Sequence, residues 1–127
     1  KNLYGRSYEF GVSDCFEAAR DYYIKEGLNI PNRPLFEDNW WDKELDYFTD
    51  DYIKTWGFTK VSGPMKKGDL LIFTIQESVA DHCGVYLGED TFYHHAENRL
   101  SCRELLYPFW GKYKTKILRN EKCKQYI

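Results

Sequence analysis

The 127-residue sequence lacks any long apolar run and has little excess charge of either sign. A membrane-spanning helix needs about 20 consecutive, mostly apolar residues, and no segment has that character. The 18 Lys and Arg residues against 20 Asp and Glu give a formal net charge of −2, whereas proteins that bind the nucleic-acid backbone carry a basic surface. The sequence therefore predicts no membrane span and no nucleic-acid partner.

Cysteine is scarce, and its four positions, 15, 83, 102 and 123, are irregularly spaced. They form no Cys-x-x-Cys pair of the kind typical of zinc sites. The acidic residues between positions 42 and 51 also lack a strict metal-ligand spacing, so we predict no metal site. We expect four reduced thiols, with a disulfide between Cys102 and Cys123 as the alternative.

Aromatic residues, by contrast, are abundant. They make up 18% of the chain, within a hydrophobic total of 43%. This composition favours a folded core and argues against disorder. Because 127 residues are enough for one core but not for two, we predict a single domain over residues 1–127.

A helix that begins at a cysteine is the most informative local feature. Asp14, followed three residues later by Glu17, resembles a capping box, apolar residues then recur at helical spacing, and Gly27 is a typical helix terminator. The pattern predicts a helix over 15–26 with Cys15 in its first turn. Because the helix dipole stabilises a thiolate at that end, Cys15 is the candidate nucleophile.

The remaining patterns predict helices first and an antiparallel meander afterwards. After an irregular connection over 28–39 we expect a second helix over 41–55, strands over 69–75, 82–87, 91–95 and 114–119, and a short helical turn over 101–104. This order indicates an α+β fold in which N-terminal helices pack on a mostly antiparallel sheet.

Two histidines lie on adjacent predicted strands, which a tight turn at 88–90 connects. Directly opposed residues on paired strands have Cβ atoms about 4.5 to 5.5 Å apart, so His82 and His94 can form a hydrogen bond. A register shift of one residue would substitute His95 for His94, and Glu97 is a more distant candidate. We expect the first helix to pack on the His82 face.

Strand alternation puts Cys83 on the other face, where it is expected to be an inert core thiol. A thiol and two imidazoles in this order can perform nucleophilic catalysis. His82 would take the Cys15 proton and return it to the leaving group, while His94 would fix the tautomer of His82. The backbone N–H of Cys15, at a helix start, is a predicted oxyanion donor. Tyr8, Asp14 and Phe16 are added as candidate substrate or oxyanion residues, although Tyr8 can equally be a core residue.

Several motifs together resemble the NlpC-type papain-like cell-wall peptidases over essentially the whole chain. They are Tyr8-x-Phe10-Gly11 before Asp14-Cys15, then Gly68-Asp69-Leu70, then His82-x-Gly84-Val85-Tyr86-Leu87-Gly88. Within that family, Trp40-Trp41 and His94-His95 followed by Arg103-Glu104 most resemble the tail-tip assembly protein K group of tailed bacteriophages. The resemblance implies a papain-like fold and a cysteine endopeptidase with no metal or organic cofactor.

The resemblance also implies a substrate and a setting. The substrate is the peptidoglycan stem peptide, commonly cut between D-glutamate and diaminopimelate, and other phage tail-tip proteins are possible partners. The implied location is a virion tail tip that acts in the bacterial periplasm or cell wall, with a secreted bacterial cell-wall hydrolase as the alternative. Since a metallopeptidase-like domain often precedes the peptidase in the phage group, we expect this chain to be a C-terminal domain or fragment of a longer protein.

Two other functions stay open at this point. One is a structural tail-assembly module that retains a peptidase fold, and the other is an amidase or acyltransferase on that fold. Phe16 stands where many bacterial members of the family have a serine that holds the free amine of the substrate. We therefore expect weak selectivity for a free N-terminal alanine.

Overall fold

The computed structural model describes residues 2–10, 12–31, 54–76 and 81–123. These ranges contain one α-helix, six strands and one 3-10 helix: α1 (Cys15–Lys25), β1 (Thr59–Val61), β2 (Leu70–Phe73), β3 (His82–Gly88), β4 (Thr91–His94), β5 (Cys102–Leu105), the 3-10 helix (Trp110–Tyr113) and β6 (Lys114–Arg119). Among them, no helix combines the length and the apolar character that a bilayer crossing requires.

Helix α1 begins and ends close to where the sequence predicts. Asp14 is its N-cap, in an extended conformation, and its carboxylate accepts a hydrogen bond from the Glu17 N–H at 3.1 Å. At the other end, Gly27 has a φ of 93°, a left-handed conformation that glycine adopts without steric cost. The cap therefore fixes Cys15 as the first helical residue.

The strands form one antiparallel sheet in the order β1-β6-β2-β3-β4-β5. The predicted hairpin of β3 and β4 and the last strand, β6, are confirmed, and β2 lies inside the predicted 69–75 segment. A helix on an antiparallel sheet is the α+β arrangement expected from the sequence. The second predicted helix, over 41–55, falls almost wholly outside the described residues.

The two faces of the sheet bury different side chains. The first face carries α1, whose residues Phe16, Ala19 and Tyr23 pack with Leu70, Ile72, Cys83, Val85, Tyr93 and Leu118. The second face consists of Leu71, Phe73, Tyr86, Phe92 and Leu106, with Trp110 packed against them.

The expectation that α1 packs on the His82 face is therefore wrong. The apolar stripe of α1 buries itself against Cys83 and Val85, because that side of β3 is apolar along its length. His82 lies on the opposite face, with its ring centroid 5.5 Å from that of Phe73 and 5.5 Å from that of Trp110. Cys15 nevertheless approaches His82, because it sits at the very end of α1, beside the start of β3.

The helical turn predicted over 101–104 is also wrong, since this segment forms β5 and pairs with β4. Ser101 and Glu104 have the spacing of a capping box, but the Ser101 hydroxyl donates to the Leu3 carbonyl at 2.7 Å and accepts from the Arg6 N–H at 2.9 Å. Long-range contacts with the N-terminal segment thus occupy the group that a capping box would use.

A buried ion pair holds the turn that leads into β2. Arg119 donates to both carboxylate oxygens of Asp69, at 2.8 Å each, and Asp69 is fully buried. The preceding Gly68 has a φ of 97°, and its carbonyl accepts from the Tyr23 hydroxyl of α1 at 2.7 Å. This turn therefore ties α1 to the centre of the sheet.

Candidate active site

Cys15 lies at the inner wall of an open cavity of about 310 Å³. Tyr8, His82, Arg99 and Trp110 are among the other residues that line it. Only 8% of Cys15 is exposed, although the residue contributes to the cavity wall. A ligand in the cavity can thus reach the sulfur, while bulk water has little access.

The surroundings of Cys15 favour its thiolate and lower its pKa to about 6. The largest cause is a hydrogen bond with the Cys83 side chain, and a hydrogen bond and the charge of His82 act in the same direction. Burial and the Asp14 carboxylate oppose them. The first-turn position adds the favourable end of the helix dipole. The thiolate form of Cys15 is therefore favoured near neutral pH.

His82 and His94 are directly hydrogen-bonded, with 2.9 Å between His82 Nε2 and His94 Nδ1. A glycine permits this approach, because Gly84 is the cross-strand partner of His94. A Cβ on Gly84 would lie 2.8 Å from the Phe92 ring and 3.0 Å from the His94 Cβ. The absence of a side chain at position 84 lets β4 bring His94 against His82.

His94 has a second partner, which the sequence did not indicate. Its Nε2 lies 2.5 Å from Glu104 Oε1, and the same oxygen lies 3.1 Å from Arg99 Nη1. Burial, followed by the charges of Arg99 and His95, lowers the pKa of His94 to about 3. The lowered pKa favours a neutral His94 near pH 7, and its contact with Glu104 is then a hydrogen bond donated by the neutral ring.

His95 does not share this arrangement. It follows the last residue of β4 and is fully buried, its Nε2 lies 2.9 Å from the Arg99 carbonyl oxygen, and its ring meets Tyr8 edge-on at 5.2 Å. Its Nδ1 has no hydrogen-bond partner among the described residues. Glu97 lines the cavity but is exposed. The structure therefore brings His94, and not His95, to His82.

The three flanking candidates have different positions. Tyr8 lines the cavity beside Cys15, and Asp14 is buried as the N-cap of α1. Phe16, contrary to the expectation of a groove residue, is only 2% exposed and packs in the core, edge-on to Trp56 at 6.0 Å. It points into the core because it lies on the apolar stripe of α1. The Trp40-Trp41 pair lies outside the described residues.

All four cysteines are free thiols, as expected. Cys83, however, is not the inert core residue that strand alternation suggested. Its thiol donates to the Cys15 carbonyl at 3.4 Å, and its contact with the Cys15 side chain is the main cause of the lowered pKa of Cys15. The error follows from the wrong helix face, since α1 lies on the Cys83 side of β3.

One group of metal-ligand types occurs in the described part of the chain, formed by His94, Cys102 and Glu104, whose donor atoms lie within 4.8 Å of one another. Two of the three are already joined by the hydrogen bond between His94 and Glu104. The Arg99 guanidinium also contacts Glu104 and the Cys102 sulfur, the latter at 3.9 Å. The Arg99 guanidinium therefore already supplies a positive charge beside these residues, and we assign no metal ion to the group.

Comparison with known proteins identifies the family. Residues 5–119 match the NlpC/P60 family. This chain belongs to that family. Its members are generally cysteine peptidases or hydrolases.

Two individual relatives agree with this assignment. The chain is 31% identical over 111 residues to the "Tail tip assembly protein K" of Escherichia phage lambda, an alignment that covers 87% of this chain and 55% of the phage protein. It thus spans about half the length of that curated relative. A crystal structure described as similar to a lipoprotein of the NLP/P60 family, from Staphylococcus aureus subsp. aureus Mu50, superposes with a TM-score of 0.61 at 20% identity, over 92% of this chain and 37% of that one. This likeness supports the NlpC/P60 fold.

Proposed function

We propose that this chain is a cysteine endopeptidase that cleaves peptidoglycan stem peptides between D-glutamate and diaminopimelate, with Cys15, His82 and His94 as its catalytic triad. The observation that carries the proposal is the continuous set of contacts from Cys15 through His82 to His94 beside an open cavity. Membership of the NlpC/P60 family supports the same reaction class.

The first step is activation of the nucleophile. His82 takes the proton of Cys15 and forms an imidazolium beside the thiolate, and the nearby Cys83 side chain also favours the charged form. Because His82 Nε2 is engaged by His94, the nitrogen that remains for Cys15 is Nδ1. His94 thereby keeps the imidazole of His82 oriented for proton transfer.

The second step is acyl transfer. The thiolate attacks the carbonyl carbon of the D-glutamyl residue, and negative charge develops on the carbonyl oxygen. The Cys15 N–H, which has no intrahelical acceptor, and the Tyr8 hydroxyl in the cavity wall are the candidate donors to that oxygen. His82 then gives its proton to the leaving amine, and water hydrolyses the resulting thioester with His82 as the base.

Position 16 bears on which peptides are cut. Phe16 is buried against Trp56 and offers no hydroxyl to a substrate ammonium. Recognition of a free N-terminal alanine is accordingly weak, and the enzyme acts on intact stem peptides that are still attached to glycan. Such internal cleavage opens the wall locally.

The relative named for tail-tip assembly supports a proposal for the setting. We place the activity at a phage tail tip, acting in the periplasm or cell wall, where other tail-tip proteins are the partners. A secreted bacterial hydrolase would have the same chemistry, and virion fractionation distinguishes the two.

The test is digestion of purified diaminopimelate-containing peptidoglycan, followed by mass analysis of the soluble fragments. We expect new termini at D-glutamate and at diaminopimelate, their loss in Cys15→Ala, and their retention in Cys102→Ser, which removes a thiol outside the triad. Glycan free of peptide would instead identify an amidase. A folded protein that releases nothing, although His82 and His94 are correctly bonded, would indicate a structural tail module.

A further inference from the structure

The series of hydrogen-bonded side chains extends beyond His94. His94 Nδ1 faces His82 at 2.9 Å, and His94 Nε2 faces Glu104 Oε1 at 2.5 Å. Each ring nitrogen of His94 thus has one partner. The protonation of one nitrogen then decides the role of the other, because a neutral imidazole carries a single N–H.

The chemistry of Glu104 decides where that proton lies. An ionised carboxylate can only accept hydrogen bonds, so His94 must donate from Nε2. Since burial keeps His94 neutral, its Nδ1 then has a lone pair and accepts from His82 Nε2–H. His82 is left with an unprotonated Nδ1, the state in which it can take a proton from Cys15.

The fold holds Glu104 in place for this contact. In the pairing of β4 with β5, Glu104 lies opposite Phe92 and Cys102 lies opposite His94, so both side chains project to the face that carries the histidines. The Arg99 guanidinium binds Glu104 Oε1 at 3.1 Å. Glu104 is 27% exposed and Arg99 47% exposed, so this ion pair contributes little to stability and serves mainly to orient the carboxylate.

We propose that Glu104 is a fourth, positioning member of the site, which fixes His94 in its Nε2–H tautomer and thereby fixes the tautomer of His82. The proposal rests on the proposed peptidase function. Without a carboxylate at position 104, His94 can carry its proton on Nδ1, and His82 would then present an N–H, instead of a lone pair, to Cys15.

Two substitutions of similar size separate this role from simple packing. Glu104→Gln keeps an oxygen that can accept the His94 N–H, whereas Glu104→Leu has no acceptor. Carboxylates that orient metal-bound histidines are typically worth about 10- to 100-fold in activity. We expect Glu104→Leu to lower kcat by a factor in that range with little change in KM, and Glu104→Gln to recover most of the loss.

The matched control is Arg103→Leu, which removes a charged side chain from the opposite face of the same strand. It should leave kcat unchanged. Equal turnover of Glu104→Leu and the unsubstituted chain would overturn the proposal. So would loss of activity in EDTA with recovery in zinc, because Glu104 would then be a metal ligand.

Two readouts need no substrate, and they separate this inference from the peptidase proposal. Nitrogen-15 NMR of the imidazoles should show His94 protonated at Nε2 in the unsubstituted chain and in Glu104→Gln, and a tautomer mixture in Glu104→Leu. The rate of Cys15 alkylation at pH 7 should fall in Glu104→Leu alone. His94 protonated at Nδ1 in the unsubstituted chain would refute the proposal, even if peptidoglycan is cleaved. The expected NMR pattern without any cleavage would leave the positioning role intact and reject the peptidase.

Discussion

The Cys83 thiol donates a hydrogen bond to the backbone carbonyl of Cys15 across 3.4 Å. Cys83 is the second residue of β3, and Cys15 is the first residue of α1. Their contact therefore joins the start of the helix to the start of the strand, next to His82. Cys83 is only 1% exposed, so solvent does not compete for its proton. Cys15 is thus held from two sides, by a thiol on one face of the sheet and by an imidazole on the other.

This contact gives a first prediction. Cys83→Ala removes the largest influence that lowers the pKa of Cys15, so the midpoint for Cys15 alkylation should move to higher pH. Cys83→Ser retains a donor and should move it less. The measurement is the alkylation rate against pH, and identical midpoints in all three proteins would exclude a role for Cys83.

The second prediction concerns the pH dependence of Cys15 itself. Because its pKa is lowered from 9.0 to about 6, the thiolate is lost as the pH falls through 6. Alkylation by iodoacetamide and peptidoglycan hydrolysis should both decline below that pH. Cys102 is the internal control, since it is partly exposed but burial and Glu104 raise its pKa. Labelling of Cys102 ahead of Cys15 at pH 6.5 would contradict the assignment.

The third prediction separates the histidines. A positioned general acid–base is worth about 10²- to 10⁴-fold, and His82→Ala should cost a factor in this range. His94→Ala should cost less, and His94→Asn less again, because an amide oxygen can still accept from His82 Nε2. His95→Ala should leave turnover close to normal once its melting temperature has been checked. A larger loss for His95→Ala than for His94→Ala would assign the third position to His95.

The fourth prediction concerns stability. Asp69 is fully buried and bonded twice by Arg119. Removal of one partner of such a pair typically costs about 3 to 5 kcal/mol, so Asp69→Ala should lower the free energy of unfolding in urea by that amount. Asp69→Asn retains one acceptor oxygen and should cost less. A decrease in the free energy of unfolding below about 1 kcal/mol, the value typical of an exposed pair, would show that the ion pair does not stabilise the fold.

Much of the fold could be predicted from local sequence patterns. The Asp14 cap, helix α1, the β3–β4 hairpin and β6 each have signals within a few neighbouring residues: a cap, an apolar stripe or a tight turn. Strand β1 has no such signal, since Thr59–Val61 is short and largely exposed and depends on pairing with β6. The prediction of a helical turn over 101–104 was wrong for the same reason, because the partners of Ser101, Leu3 and Arg6, are distant in sequence.

The sequence predicted Cys15, His82 and His94 as site residues, but it did not predict all the contacts that surround them. The motif order indicated Cys15, His82 and His94, and strand alternation brought the two histidines together. The contacts of Glu104 and Cys83 were not predicted, because each depends on long-range packing that the local sequence does not specify. Glu104 needed β5 to be recognised as a strand, and Cys83 needed α1 to be placed on the correct face.

Gly84 has a consequence for folding fidelity. It faces His94 at a point where any Cβ would collide with Phe92 and with His94, whereas its neighbours Cys83 and Val85 both carry side chains. A hairpin shifted by one residue would set one of those side chains against β4 and would exchange the faces of His82 and Cys83. Gly84 thus favours the strand pairing in which His94 reaches His82, because a Cβ at this position would clash with Phe92.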